Sequence, residues 1–166
     1  MVILSWGTEG WTLVPDTLEI ADTDAWMTNN QTQYLDLYTS ANAETDLTVS
    51  YQITDLPAGS YLAKVDLEGQ EDSESYLSLN VTDTAGNSLL ATPAALTTTG
   101  YNNWETFRTE VFTLTEPTTI NVVVSGTTPA GFWGALDNLV VLGPETEEDT
   151  SVTGNIEVEK VKHLSE

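Results

Sequence analysis

Polar and apolar residues alternate with a period of two in short runs over residues 47–53, 61–67, 76–81, 109–114, 120–125 and 136–142. That spacing belongs to strands with one face buried, whereas helical periodicity is nearly absent. Between the runs lie turn-forming clusters: Leu56-Pro57-Ala58-Gly59, Asp83-Thr84-Ala85-Gly86-Asn87, Thr115-Glu116-Pro117 and Thr127-Thr128-Pro129-Ala130-Gly131. Regularly spaced short strands joined by such turns predict an all-β fold, an antiparallel β-sandwich or jelly roll, with helix only in short loop pieces. In the run that starts at Tyr61, the residues Tyr61, Ala63, Val65 and Leu67 make an apolar face, and Lys64, Asp66 and Glu68 point the other way.

The pattern stops at Gly143, so residues 1–143 are expected to form one domain. Residues 144–154 read as an acidic linker, because Pro144-Glu145-Thr146-Glu147-Glu148-Asp149-Thr150-Ser151 has no apolar residue and four acids. Apolar residues return with period two over 155–166, which reads as the start of a truncated second domain. Met1 followed at once by domain-like sequence reads as an excised piece, and Met1-Val2-Ile3-Leu4 is too short for a signal peptide.

Charge narrows the partners. Lys and Arg number 4 against 26 acids, a formal net charge of −22. Such a field repels phosphate backbones and anionic membranes, so neither nucleic acid nor membrane is expected as a partner, and an anionic polysaccharide is disfavoured too. A neutral ligand or a cation remains. There is no cysteine, which excludes a disulfide scaffold and a thiolate metal site.

Catalysis has little support in the residues present. The only histidine is His163, in the tail, so no serine or cysteine triad can form in the domain. A carboxylate pair for glycoside hydrolysis occurs by chance among 26 acids, and no compact motif marks one. Five tryptophans direct attention to sugars, whose apolar C–H patches stack on flat aromatic rings while nearby polar groups bind hydroxyls.

Two tryptophans stand out. Trp104 opens a strand-like run whose same face carries Thr106 and Arg108; Trp133 lies between glycines just before the last strong run. Tyr101 and Asn103 complete a rim before Trp104. Arg108 is one of two basic residues before the linker, the other being Lys64, and either pairs with an acid or donates to a sugar. Asp66 and Glu68 offer acceptors for vicinal hydroxyls, or else are simple solvent-facing charges. Trp26, ahead of the polar Thr28-Asn29-Asn30-Gln31 stretch, stands in the site or at its edge. Trp11, beside Leu13, reads as core, and Trp6 is ambiguous. For a metal, one structural calcium is plausible, with Asp137 at a loop-to-strand position as first candidate and Glu9 as second.

Leu56-Pro57-Ala58-Gly59-Ser60-Tyr61, the Trp104 strand and Trp133-Gly134-Ala135-Leu136-Asp137-Asn138 resemble the galactose-binding-like jelly-roll carbohydrate modules over residues 5–143. Within that group the chain looks closest to carbohydrate-binding module family 61, which implies a secreted, monomeric, non-catalytic module that binds β-1,4-galactan. Ile156-Glu157-Val158-Glu159-Lys160-Val161-Lys162-His163-Leu164-Ser165-Glu166 looks like the opening of the catalytic domain of family 53 endo-β-1,4-galactanases. The resemblance therefore implies a parent galactanase whose module holds it on pectic side chains. Asp66 and Glu68 stand where related modules often carry an aromatic and a glutamine, and Gln70 where a second glycine is common. A structural or adhesive β-sandwich of a surface protein, a module for another neutral β-glycan, and a small glycosidase are the alternatives.

Overall fold

The computed structural model describes residues 2–3, 11–15, 18–22, 33–38, 42–71 and 75–143. Twelve strands are present among them: β1 (Val2–Ile3), β2 (Trp11–Val14), β3 (Glu19–Asp22), β4 (Gln33–Asp36), β5 (Thr45–Leu56), β6 (Gly59–Gly69), β7 (Leu77–Asp83), β8 (Ala94–Leu96), β9 (Gly100–Arg108), β10 (Phe112–Leu114), β11 (Thr118–Thr128) and β12 (Gly134–Leu142). All pairings are antiparallel. A five-stranded sheet runs β2-β5-β11-β7-β8. A seven-stranded sheet runs β10-β6-β12-β4-β3, with β9 also on β6 and β1 also on β12.

The two sheets face each other across one core. Leu47, Val49, Leu79, Val81, Ile120, Val122 and Val124 come from the five-stranded sheet, and Leu35, Ala63, Val65, Leu67, Leu136 and Val141 from the other. All but Leu35 come from the period-two runs, at alternate positions except in β12, where the irregularity between Asp137 and Val140 shifts the buried side from Leu136 to Val141. Trp11 is half-buried, packs against this core and meets Tyr51 edge-on at 4.8 Å between ring centroids.

The Leu56-Pro57-Ala58-Gly59 turn carries the chain from one sheet to the other, since β5 and β6 belong to different sheets. Tyr61 pins this crossover. Its hydroxyl donates to the Pro57 carbonyl at 2.6 Å, and its ring stacks with Phe112 at 5.9 Å.

One expected strand differs. The run over 109–114 is only β10, from Phe112, because the chain bulges after Arg108. Arg108 lies opposite Lys64 and Phe112 opposite Tyr61, a register one residue longer on the β9–β10 side. Thr109 stitches the bulge: its N–H donates to the Ala63 carbonyl at 2.9 Å and its Oγ1 accepts from the Ala63 N–H at 3.0 Å. Thus β9 and β10 form one interrupted edge along β6. The strand holding Trp104 likewise begins earlier than expected, at Gly100.

Candidate functional site

Charge separates the two outer faces. The strands of the five-stranded sheet contain only Asp46, Asp55 and Asp83 as charged residues, all at or near strand ends. The outer face of the seven-stranded sheet is different. There Lys64, Asp66 and Glu68 of β6 alternate with core residues, and directly opposed residues share a face. Asp66 is flanked by Thr106 on β9 and Asp137 on β12; Lys64 by Arg108; Glu68 by Ala135. Four residues named from the sequence, Asp66, Glu68, Arg108 and Asp137, therefore share one surface with Trp104.

Asp66 ties three strands together. Thr106 Oγ1 donates to its Oδ1 at 2.5 Å, and Asn138 Nδ2 donates to its Oδ2 at 2.8 Å. Asn138 holds a left-handed backbone (φ 52°) at a bulge between Asp137 and Val140. Asn tolerates this conformation better than most residues with a side chain. The bulge also lets the Asn138 N–H donate to Asp137 Oδ1 at 2.8 Å. Both Asp66 oxygens thus engage protein donors, so part of its acceptor capacity is already committed to the scaffold.

Glu68 was expected on an open polar face, but it is 0% exposed, and Asp137 is 2% exposed. The reason lies in β9. Leu67 opposes Glu105 and Gly69 opposes Gly100, so the chain from Gly100 to Glu105 spans only three residues of β6. This wide bulge lifts Trp104 over the sheet, where it packs against Tyr34 and Ala135 on the strands beyond Glu68. An indole reaching across about 10 Å, two strand spacings, roofs the carboxylate between. Trp104 Nε1 is itself buried and has no hydrogen-bond partner among the described residues. With its nitrogen buried, whatever of the half-buried indole is accessible is carbon, the surface suited to stacking.

Beyond the roof, Tyr101 is 55% exposed, and Asn103 Nδ2 donates to Thr99 Oγ1 at 2.7 Å. Arg108 is exposed and lies opposite Lys64, so the two basic residues are cross-strand neighbours.

Trp133 is half-buried immediately before β12. Phe132 before it fills the core, meeting Tyr76 edge-on at 6.0 Å, so alternation turns Trp133 outward with Ala135. Its backbone is tightly held. The Gln70 N–H donates to the Trp133 carbonyl at 3.1 Å, and Thr98 Oγ1 donates to the Gln70 carbonyl at 2.5 Å. Gly134 opposes Gly69; a Cβ on Gly134 would stand 2.8 Å from the Glu68 carbonyl oxygen, and one on Gly69 would stand 2.8 Å from that of Trp133. The glycine after Trp133 is thus required by close approach of two backbones.

Trp26, Trp6 and Glu9 lie outside the described residues. Among the described residues no group of three or more His, Cys, Asp or Glu stands close enough to hold a metal ion. The sequence placed Thr106 on the Trp104 face but not its bond to Asp66, and it gave no role to Asn138 or Tyr34; these roles arise from register and from a left-handed bulge.

No protein-family model and no curated protein matches the sequence. Solved structures do match. The structure of TmCBM61 in complex with β-1,4-galactotriose aligns with a TM-score of 0.63 at 19% identity, covering 80% of this chain and 86% of that one. A family 35 module, Xyl-CBM35, in complex with a glucuronic acid-containing disaccharide, aligns at 0.54 and 16% identity over 86% and 94% of the two chains. The xylan-binding CBM22-1 of Paenibacillus barcinonensis Xyn10C aligns at 0.51 and 17% identity over 81% and 85%. The chain has the antiparallel β-sandwich fold of carbohydrate-binding modules.

Proposed function

We propose that this protein is a non-catalytic carbohydrate-binding module that binds β-1,4-galactan and, in a secreted parent galactanase, keeps the enzyme on pectic side chains. The observation that carries the reading is the sharing of one sheet face and its end by Trp104, Trp133, Asp66, Glu68 and Arg108, with Tyr101 and Asn103 beside them. The galactotriose complex of a structurally similar module supports the choice of sugar. Ring carbon of Trp104 and Trp133 would stack on the pyranose C–H face; the Asp66 carboxylate, the Arg108 guanidinium and Asn103 would read hydroxyl orientation. Burial makes Glu68 a support beneath Trp104 rather than a first contact. Few contacts imply weak binding, roughly micromolar to millimolar, and tethering turns that into a raised local concentration of substrate.

Affinity electrophoresis in galactan-containing gels tests this. Trp104→Ala and Trp133→Ala should each abolish galactan retardation while far-ultraviolet circular dichroism stays that of a β-sandwich. Retardation unchanged in both variants would remove the site assignment. Release of reducing ends from galactan would remove the non-catalytic reading.

A further inference from the structure

Among the described residues four large hydrophobic side chains are exposed: Val14, Tyr38, Tyr101 and Val111. The two aromatic ones lie at the same end of the same sheet. Gly100 on β9 opposes Gly69 on β6, Gly69 opposes Gly134 on β12, and the Leu37 N–H donates to the Gly134 carbonyl at 2.9 Å. This line crosses β9, β6, β12 and the end of β4. Tyr101 follows its first member, Trp133 precedes Gly134, and Tyr38 follows Leu37. Three strand spacings place the two flanking strands about 14 Å apart.

Tyr38 belongs to this row by orientation as well as position. Leu37 is in the core, so alternation along the chain turns Tyr38 outward, and the Tyr38 N–H donates to Asp36 Oδ1 at 2.9 Å, which fixes the turn that presents it. It is 48% exposed, a large aromatic surface left in water.

We propose that Tyr38 is an outer stacking subsite that, with Trp133 in the middle and Tyr101 on the far side, extends the binding surface across the sheet end for an elongated neutral oligosaccharide. The inference rests on the galactan-binding reading and goes beyond it in assigning Tyr38 and a dependence on ligand length. A polymer lying along the row touches all three rings, whereas a disaccharide seated between Tyr101 and Trp133, whose strands are two spacings or about 10 Å apart, does not extend over Tyr38 on the next strand. An uncharged polymer is the suited occupant, because a net charge of −22 opposes a polyanion.

The test is calorimetric titration of the wild type, Tyr38→Ala and Tyr38→Phe with β-1,4-galacto-oligosaccharides of two to six units. Affinity of the wild type should rise with length. Tyr38→Ala should leave the disaccharide within about twofold of wild type and weaken the longest ligand roughly threefold to tenfold, one aromatic contact's worth. Tyr38→Phe, which keeps the ring, should restore it. Thermal midpoints of the variants should match the wild type, since the side chain is exposed. Equal affinities for Tyr38→Ala and wild type at every length would overturn the subsite, and so would a loss of the same size at every length. If the wild type binds no galacto-oligosaccharide but does bind a ladder of another neutral β-glycan, the sugar assignment fails and the same comparison on that ladder decides Tyr38. If it binds neither, both proposals fall.

Discussion

Removing the Asn138–Asp66 hydrogen bond should cost a measurable and separable amount. The acceptor is a carboxylate, and such bonds contribute about 1.5–3 kcal/mol when well shielded. Asp66 and Asn138 are half-exposed, which brings the figure to roughly 1 kcal/mol. Single variants alone do not isolate it. Asp66→Ala also frees Thr106 Oγ1 and relieves repulsion from Asp137 directly opposite. Asn138→Gly retains the left-handed backbone at little cost while adding freedom to the unfolded chain. In a double-mutant cycle these side effects cancel. The Asp66→Ala, Asn138→Gly double variant should be less destabilised than the sum of the singles by about 1 kcal/mol. Denaturant unfolding followed by tryptophan fluorescence supplies the four free energies. Additivity within about 0.3 kcal/mol would refute the clasp as a contributor to stability.

The Asp83 carboxylate accepts from the N–H groups of Asn87 and Ala85, both at 2.9 Å, and the Asn87 backbone bond is the largest cause holding its pKa below the ordinary value of 3.8. Its folded pKa is depressed, so the stability it gives is present above the ordinary carboxylate range and lost as pH falls through the folded value. The stability gap between wild type and Asp83→Asn should therefore be constant near neutral pH and shrink below about pH 4; a gap that widens in acid would contradict the argument. Gly126 sits where a Cβ would overlap the Tyr76 carbonyl oxygen, and backbone cannot rotate away as a side chain can. Gly126→Ala should lose about 2–3 kcal/mol, seen as a fall in Tm of roughly 4–12 °C. Gly86→Ala meets open space at φ 87° and should lose only about 1 kcal/mol; equal losses in the two variants would break this reasoning.

The sandwich was legible because its strands obey one local rule. Leu47, Val49, Leu79, Val81, Val122 and Val124 sit at alternate positions, and period two reports which face is buried without knowledge of partners. What the pattern does not carry is which strand lies beside which. Glu68 looked open because its roof, Trp104, comes from another strand and is lifted by a bulge that leaves no periodic trace. The break at Thr109 was invisible for the same reason: an extra residue in one strand is defined only against Ala63 on its partner. Asn138 read as the polar end of a motif, and its left-handed backbone gives it another task. Trp104 was legible as a candidate from its residue type at the head of a strand-like run, and Trp133 from its place between glycines. Tyr38 was not, since nothing local relates it to residues some 60 to 100 positions later on the other side of a sheet.

Strand β12 is the last described strand in sequence, yet it lies inside the seven-stranded sheet, bonded to β6 along one edge and to β4 and β1 along the other. During synthesis every earlier strand emerges from the ribosome before the one that joins them. Until residues 134–142 appear, the Leu35, Ala63, Val65 and Leu67 side chains have a sheet with a missing middle, and two backbone edges remain open to any other chain. Folding of this sandwich is thereby postponed until β12 has emerged and depends on contacts that close very long loops, which slows it. A product ending before Gly134 should accumulate in inclusion bodies, while one ending after Gly143 should fold.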